Sequence, residues 1–372
     1  FPFLVADFQV SYTELGLVMS IYFLASGVGQ PIAGFLVDRY GARALLFGGL
    51  FLYWVAICVL AFLPEFWLFY PVMALAGIAN SVFHPADYTV LSASVPHSHL
   101  GRAFSVHTLG GNLGWVLAPV FMLTIAEFGG WKLSIVAAGM LGLAIWLLLW
   151  LYRDVLRDER SAEESAQRQR EGLGLSFIFS STVVLCFWYF VLLAAALIAV
   201  QNFIGPILES IHTVSLVVAG AALTGFLIGA STGVIAGGIA ADKTGEHAWV
   251  IVGGLAGSAC LVVSLAYMPS IGILLIGVLF CAGFLSGMTS PSRDMLVRQV
   301  TPKGATGRVF GVVYSGLDVG SALAPVTVGY MLDKGLPTTA LWVIGATILC
   351  GVLTVVGIRG QAHKLKADVA AV

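Results

Sequence analysis

Few side chains in this chain can bind a solute or move a proton from inside an apolar run, and those few stand out. Asn80, His84, His107, Asn112, Tyr314 and Asp318 all fall near the middle of long apolar stretches. An Asp at the centre of a membrane helix costs about +2.5 to +3.5 kcal/mol on insertion scales, so it must be paired, protonated or facing water. Two readings of Asp318 follow. It takes and releases a coupling proton, with His84 or His107 as partner, or it is a protonated, hydrogen-bonded Asp that packs a bundle. His84 stands before Pro85. A proline removes a backbone donor and exposes carbonyls, and a broken helix at membrane depth points to a substrate site. A packed, hydrogen-bonded histidine is the alternative.

Other polar groups are candidates for the same pathway. Trp188 and Tyr189 line a cavity or make lipid or core contacts, and Gln30, Gln201 and Asn202 are weaker candidates. Asp294 and Arg298 are spaced i,i+4, the spacing of a surface helix pair worth about 0.2–0.5 kcal/mol. Arg293 either snorkels to the headgroups or faces a pathway and holds an anionic substrate. Asp87 lies at the matching place in an earlier run.

That match is part of a duplication. His84–Val120 and Ser290–Val326 align at an offset of 206 without a gap. Pro85 meets Pro291, Gly101-Arg102 meets Gly307-Arg308, Phe104 meets Phe310, and Leu117-Ala118-Pro119-Val120 meets Leu323-Ala324-Pro325-Val326. Asn112, a neutral near-isostere, is the counterpart of Asp318, so only one copy carries the titratable group. A period of half the chain implies two copies of one bundle.

Composition identifies the solvent. Apolar residues make up 59% and charged residues 10% of the 372, with mean hydropathy +0.97. An ordinary soluble domain is roughly 25% charged. The chain therefore reads as an all-α polytopic membrane protein in a lipid bilayer. Spans are expected at about 14–37, 44–62, 66–94, 101–126, 131–152, 176–208, 214–241, 248–267, 270–297, 303–332 and 338–358. Each is near or above the roughly 20 residues that cross a bilayer. Phe1–Asp7 reads as the tail of a first helix largely absent from the chain, so about eleven spans of twelve are visible. Ser11-Tyr12-Thr13-Glu14 is a capping-box pattern for the next helix.

The expected division is an N-terminal bundle at 1–152, a linker at 153–175 and a C-terminal bundle at 176–372. The linker alternates Arg153, Arg157, Arg160, Arg168 and Arg170 with Asp154, Asp158, Glu159, Glu163, Glu164 and Glu171. Alternate loops on its side hold Arg39, Arg43, Arg102, Lys243, Arg298, Lys303, Arg308, Arg359, Lys364 and Lys366; the other side holds Lys132 and Lys334. By the positive-inside rule, the linker and the C-terminus are cytoplasmic. Cys58, Cys186, Cys260, Cys281 and Cys350 lie in apolar runs without metal-ligand spacing and read as packing residues. A net charge of -1 and no basic aromatic patch give no sign of nucleic acid.

Gly34-x-x-x-Asp38-Arg39-x-Gly41-x-Arg43 resembles the signature between the second and third helices of the major facilitator superfamily. A degenerate copy, Gly238-x-x-x-Asp242-Lys243-x-Gly245, sits 204 residues later. Ser81-Val82-Phe83-His84-Pro85 with Gly110-Gly111-Asn112-x-Gly114 is similar to the fosmidomycin-resistance efflux branch, and Gly114-x-x-x-Ala118-Pro119 resembles an antiporter signature with Ala in place of a Gly. The basic residue of multidrug antiporters in the fourth helix has no counterpart around Met73–Gly77. The resemblance implies two pseudo-symmetric six-helix bundles rocking about a midplane cavity. It also implies a cytoplasmic latch built from Gly34, Asp38, Arg39, Gly41, Arg43, Asp242 and Lys243, joined by Asp87, Arg102, Asp294 and Arg308. On residues alone, the same loops are turns whose basic groups orient the chain, with Gly41 suited to a left-handed conformation.

The expectation is a secondary active transporter, not an enzyme, with no cofactor or metal. Its partners are a small organic substrate and protons; it exports its substrate, acts as a monomer and resides in a bacterial inner membrane. Proton-coupled uptake of a small organic anion is the second reading and a transporter-like sensor the third. No Walker motif or metal cluster appears, which argues against an ATP-driven pump.

Overall fold

The computed structural model describes residues 4, 7–10, 12–156, 179–302 and 305–370. Ser11, Lys303 and the linker charges from Arg157 to Glu171 lie outside these residues. Among the described residues there is helix and no strand. In hydrocarbon every backbone group must be satisfied within its own segment, and an uninterrupted helix does this.

The helices are α1 Tyr12–Tyr40, α2 Ala42–Leu60, α3 Phe69–Asn80, α4 Phe83–Ser94, α5 Leu100–Leu151, α6 Ser181–His212, α7 Leu216–Lys243, α8 His247–Ser264, α9 Gly272–Val300, α10 Thr306–Asp333 and α11 Pro337–Ala370. Ten described helical stretches are long and apolar enough to cross a membrane. The spans expected at 101–126 and 131–152 are two helical arms, carried together under the label α5, that meet at a non-helical turn at Gly129 and Gly130, where Gly130 has φ 75°. The first arm of α5, which carries Arg102 and His107, is the expected span outside those ten.

The third expected span, 66–94, is interrupted. α3 ends at Asn80 and α4 begins at Phe83, with Ser81 and Val82 in a turn between them. Pro85 explains the break, because it has no N–H for the Ser81 carbonyl and its ring crowds that carbonyl. Pro291, its counterpart, is accommodated inside α9. Capping differs along the chain as well. Ser180 and Ser215 accept from the backbone N–H groups of Val183 and Val218 at the starts of α6 and α7, the usual role of a serine before a helix.

Contacts divide the chain into two compact units. One holds Phe1–Ser94, Gly111–Gly174 and Pro302–Ser315; the other holds Val95–Gly110, Leu175–Thr301 and Gly316–Val372. In the first unit α3 packs on α1 so closely that a Cβ on Gly77 would overlap the Tyr22 carbonyl. Val18, Leu60, Leu63, Phe66, Phe69 and Trp131 form one core, and Val37, Ala42, Leu46, Ala86 and Val90 another.

In the second unit, α7 and α9 interlock. Gly229, Gly233 and Gly237 lie against the carbonyls of Phe280, Phe284 and Met288, while Gly283 and Gly287 lie against those of Phe226 and Ala230. Small residues four apart let two backbones touch, which is how helices gain dispersion energy in a solvent as apolar as their own side chains.

Candidate functional site

Each unit contains one acidic residue at the end of a helix, set against the start of another. In the first unit, Asp38 lies in the last turn of α1. Its Oδ1 accepts from the backbone N–H of Gly307 at 2.9 Å, and its Oδ2 accepts from the backbone N–H of Arg308 at 3.1 Å and from Arg308 Nε at 2.7 Å. The carboxylate thus takes up two donors that the first turn of α10 cannot satisfy itself, at the positive end of the helix dipole. Gly34 and Gly307 permit this approach, since a Cβ on Gly34 would strike the Gly307 carbonyl. The pair is sheltered, with 10% of the Asp38 side chain and 16% of the Arg308 side chain exposed. The Arg308 guanidinium also sits 5.8 Å from the Phe35 ring centroid.

The second unit repeats the arrangement with the copies exchanged. Asp242, in the last turn of α7, pairs with Arg102 Nε at the start of α5 and accepts from the Arg102 backbone N–H at 3.3 Å. Here Arg102 is 52% exposed and Asp242 6%. Lys243, next in sequence, is exposed. The two pairs thus differ: close backbones exclude water from Asp38 and Arg308, while Arg102 beside Asp242 stays half in solvent.

Loop residues of the signature fall into place around Asp38. Gly41 has φ 97°, the left-handed side expected of it. Arg39 lies over the Tyr40 ring at 5.2 Å, and Arg43 Nη1 donates to the Arg153 carbonyl at 3.3 Å.

Deeper in the first unit, α4 and the first part of α10 meet through aromatic rings. His84 lies 4.6 Å from Tyr314 between ring centroids, and Tyr88 stacks on Phe310 at 4.6 Å with an 18° interplanar angle. Tyr88 and Tyr314 are 4.9 Å apart. Tyr88, Phe310 and Tyr314 are all buried. His84 therefore joins an aromatic cluster rather than standing alone. Tyr88, one turn after His84, carries no signal of its own in the sequence, and Phe310, one turn before Tyr314, is marked there only by its match to Phe104. Asn80 Nδ2 donates to Ser26 Oγ at 2.9 Å, which ties α3 to α1. Asp87 and Asn112 also belong to this unit and are partly buried.

The second unit holds the remaining candidates. Arg293 Nε donates to Asp294 Oδ1 at 2.8 Å and Nη2 to Oδ2 at 3.3 Å. Asp294 is fully buried and Arg293 nearly so. The expectation that Asp294 lies at the surface is thus corrected: its carboxylate is buried within the unit beside the Arg293 guanidinium. The Arg293 guanidinium also stacks over Phe190 at 4.9 Å. His107, on the first arm of α5, interacts electrostatically with Asp294. Tyr189 is a core residue and Trp188 is half exposed. Asp318 is partly buried on α10 in this unit. His84 and Tyr314 thus fall in one unit, and His107, Arg293, Asp294 and Asp318 in the other.

The sequence profile of the Major Facilitator Superfamily matches residues 1–210 and again residues 192–371. An uncharacterized MFS-type transporter of Bacillus subtilis (strain 168), YfnC, is 27% identical over 95% of this chain and 86% of its own length. The fosmidomycin resistance protein of Escherichia coli (strain K12) is 25% identical over 87% of this chain and 79% of its own. Among solved structures, the proton:xylose symporter XylE superposes with a TM-score of 0.74 at 15% identity, covering 94% of this chain and 88% of that one.

Proposed function

The chain belongs to the major facilitator superfamily, and from that premise we propose that it is a proton-coupled secondary transporter that exports a small organic solute by alternating access. The observation that carries this reading is the reciprocal pair of carboxylate clamps, Asp38 on the start of α10 and Asp242 on the start of α5. Each joins a residue of one sequence repeat to a residue of the other. Such bonds form and break with a rocking motion, which suits a gate and has no use in covalent catalysis. The clamps are the latch of this reading, on the cytoplasmic side in the orientation the loop charges favour. Export is supported by the likeness of the Gly114–Pro119 run to an antiporter signature and by the fosmidomycin resistance relative.

Asp318, His107 and the Arg293–Asp294 pair are the groups assigned to proton coupling. A proton that neutralises a carboxylate in a low-dielectric bundle removes a large desolvation penalty and releases a cationic partner. Uptake of a small organic anion is the second reading, favoured by the sheltered guanidinium of Arg293, whose partner carboxylate an incoming anion could replace.

Full-length protein in proteoliposomes, challenged with pools of candidate compounds from either side, tests both. Export predicts proton movement opposite to one compound, abolished by Asp318→Asn. Co-directional movement that depends on Arg293 establishes the uptake reading instead. Normal coupled transport by Asp318→Asn removes that residue from the proton path.

A further inference from the structure

On the outer surface of the second unit, the start of α8 and the end of the apolar part of α11 leave a groove of about 160 Å³. Ala248, Trp249, Val252, Val356, Arg359 and Gly360 line it. Ala248 and Val252 are one turn apart on α8, as are Val356 and Gly360 on α11. The groove thus lies between two ridges where Gly360 contributes no side chain; a Cβ there would meet nothing within 4 Å. It sits at a membrane boundary. The apolar spans run His247–Tyr267 and Pro337–Gln361, so Trp249 and Arg359 each lie just inside the end of a span. Trp and Arg at that depth are the residues that face headgroups, with an apolar body in the bilayer and a polar tip at the surface.

The Arg359 side chain is held ready but incompletely used. Its guanidinium lies 4.8 Å from the Trp249 ring centroid, so one face is fixed by a cation–π contact. Nη2 donates to Glu246 Oε2 at 3.2 Å. Nε, on the same edge of the guanidinium, is buried and has no hydrogen-bond partner among the described residues. A buried donor without a partner is costly to leave in place. The Nε–Nη2 edge is the fork that grips two oxygens of a phosphate or carboxylate side-on. Glu246 uses half of it, from an exposed position that leaves it free to swing away.

We propose that this groove is a binding site for a single phospholipid, with its phosphodiester on the Nε–Nη2 edge of Arg359 and the upper part of one acyl chain along Val252 and Val356. Trp249 covers the junction between headgroup and chain. Glu246 is the internal competitor for the same edge. A phospholipid fits better than a free anion because four of the six lining residues are Ala, Val or Gly, and because the cationic edge and the apolar floor lie at the depths of phosphate and chain. The site rests on these groups alone and is independent of the transport direction argued above.

The test is fluorescence quenching of full-length protein in detergent micelles by lipids with brominated acyl chains. The Trp249 signal is isolated as the difference between the native protein and Trp249→Phe. Brominated phosphatidylglycerol is compared with brominated diacylglycerol, which has the same chains and no phosphate. Half-quenching is expected at about tenfold lower phosphatidylglycerol than diacylglycerol, the scale of a charge-assisted fork. In Arg359→Gln that advantage disappears, and in Glu246→Gln it grows because the competitor is gone. Equal midpoints for the two lipids, or an advantage that survives Arg359→Gln, would overturn the proposal. So would complete displacement of the lipid by millimolar inorganic phosphate, which would mark a free-anion site. Should Arg359→Gln fail to fold, Glu246→Gln decides: tighter phosphatidylglycerol binding supports the site, and unchanged binding removes it.

Discussion

The two clamps are the same device written on opposite copies of the repeat, and they differ in how the backbone beneath them is built. In the first unit Gly311 lies against the Gln30 carbonyl, one turn beyond the Asp38–Arg308 pair. Its counterpart in the second unit is Ser105, 206 residues earlier, and Gln30 corresponds to Val234. There the same crossing is made by a hydrogen bond, Ser105 Oγ donating to the Val234 carbonyl at 2.6 Å. A glycine brings the helices into backbone contact and shuts water out of the ion pair. A serine spaces them by one side chain and leaves the arginine half in solvent. One carbonyl is therefore met by packing and the other by a hydroxyl, and the shielding of the neighbouring charges follows from that choice.

The largest expected effect comes from the sheltered clamp. Asp38→Asn leaves Arg308 partly buried without its counter-charge and is expected to cost about 3–5 kcal/mol, the range for a broken buried pair. The measurement is thermal unfolding of the detergent-solubilised protein, with transport in proteoliposomes lost in parallel. A shift no larger than that of Asp242→Asn would erase the distinction between the clamps.

Next in size is Gly311→Ser, which installs the other copy's side chain where its Cβ overlaps the Gln30 carbonyl. Overpacking of this kind costs about 1–3 kcal/mol. The reverse question is posed by Ser105→Ala. It removes a buried hydrogen bond, and a loss of about 1 kcal/mol is expected; retention of full stability would mean that the hydroxyl contributes nothing to the crossing.

The smallest effect belongs to Asp242→Asn. With Arg102 half exposed, its ion pair contributes about 0–1 kcal/mol and is screened by salt. Raising ionic strength should therefore narrow the gap between the native protein and Asp242→Asn while leaving the gap to Asp38→Asn nearly unchanged. Parallel salt responses at the two sites would show that the exposure difference has no energetic consequence.

Much of the architecture was legible in the chain. Composition and span length alone require helices that satisfy their own backbones in lipid. Gly41 is identifiable as a left-handed position from its place between Asp38 and Arg43, and it has φ 97°. The break before His84 is written in Pro85, because a missing N–H acts within its own helix and needs no partner. The duplication places Arg102 and Arg308 at equivalent helix starts, and both form clamps with the signature acids.

What the chain could not show is which side chains far apart in sequence would share a surface, and how dry that surface would be. Asp294 followed by Arg298 has the spacing of an exposed pair, yet Asp294 is buried and accepts two hydrogen bonds from Arg293, a neighbour the i,i+4 rule ignores. Tyr88 and Phe310 are ordinary aromatic residues until α4 and α10 meet and stack them. The charges of the clamps were likewise visible, but not their inequality. Ion types and helix ends are local properties, carried by a few adjacent residues. Shielding depends on how closely two backbones approach across hundreds of residues of chain, and that distance was decided only when Gly311 and Ser105 packed against their carbonyls.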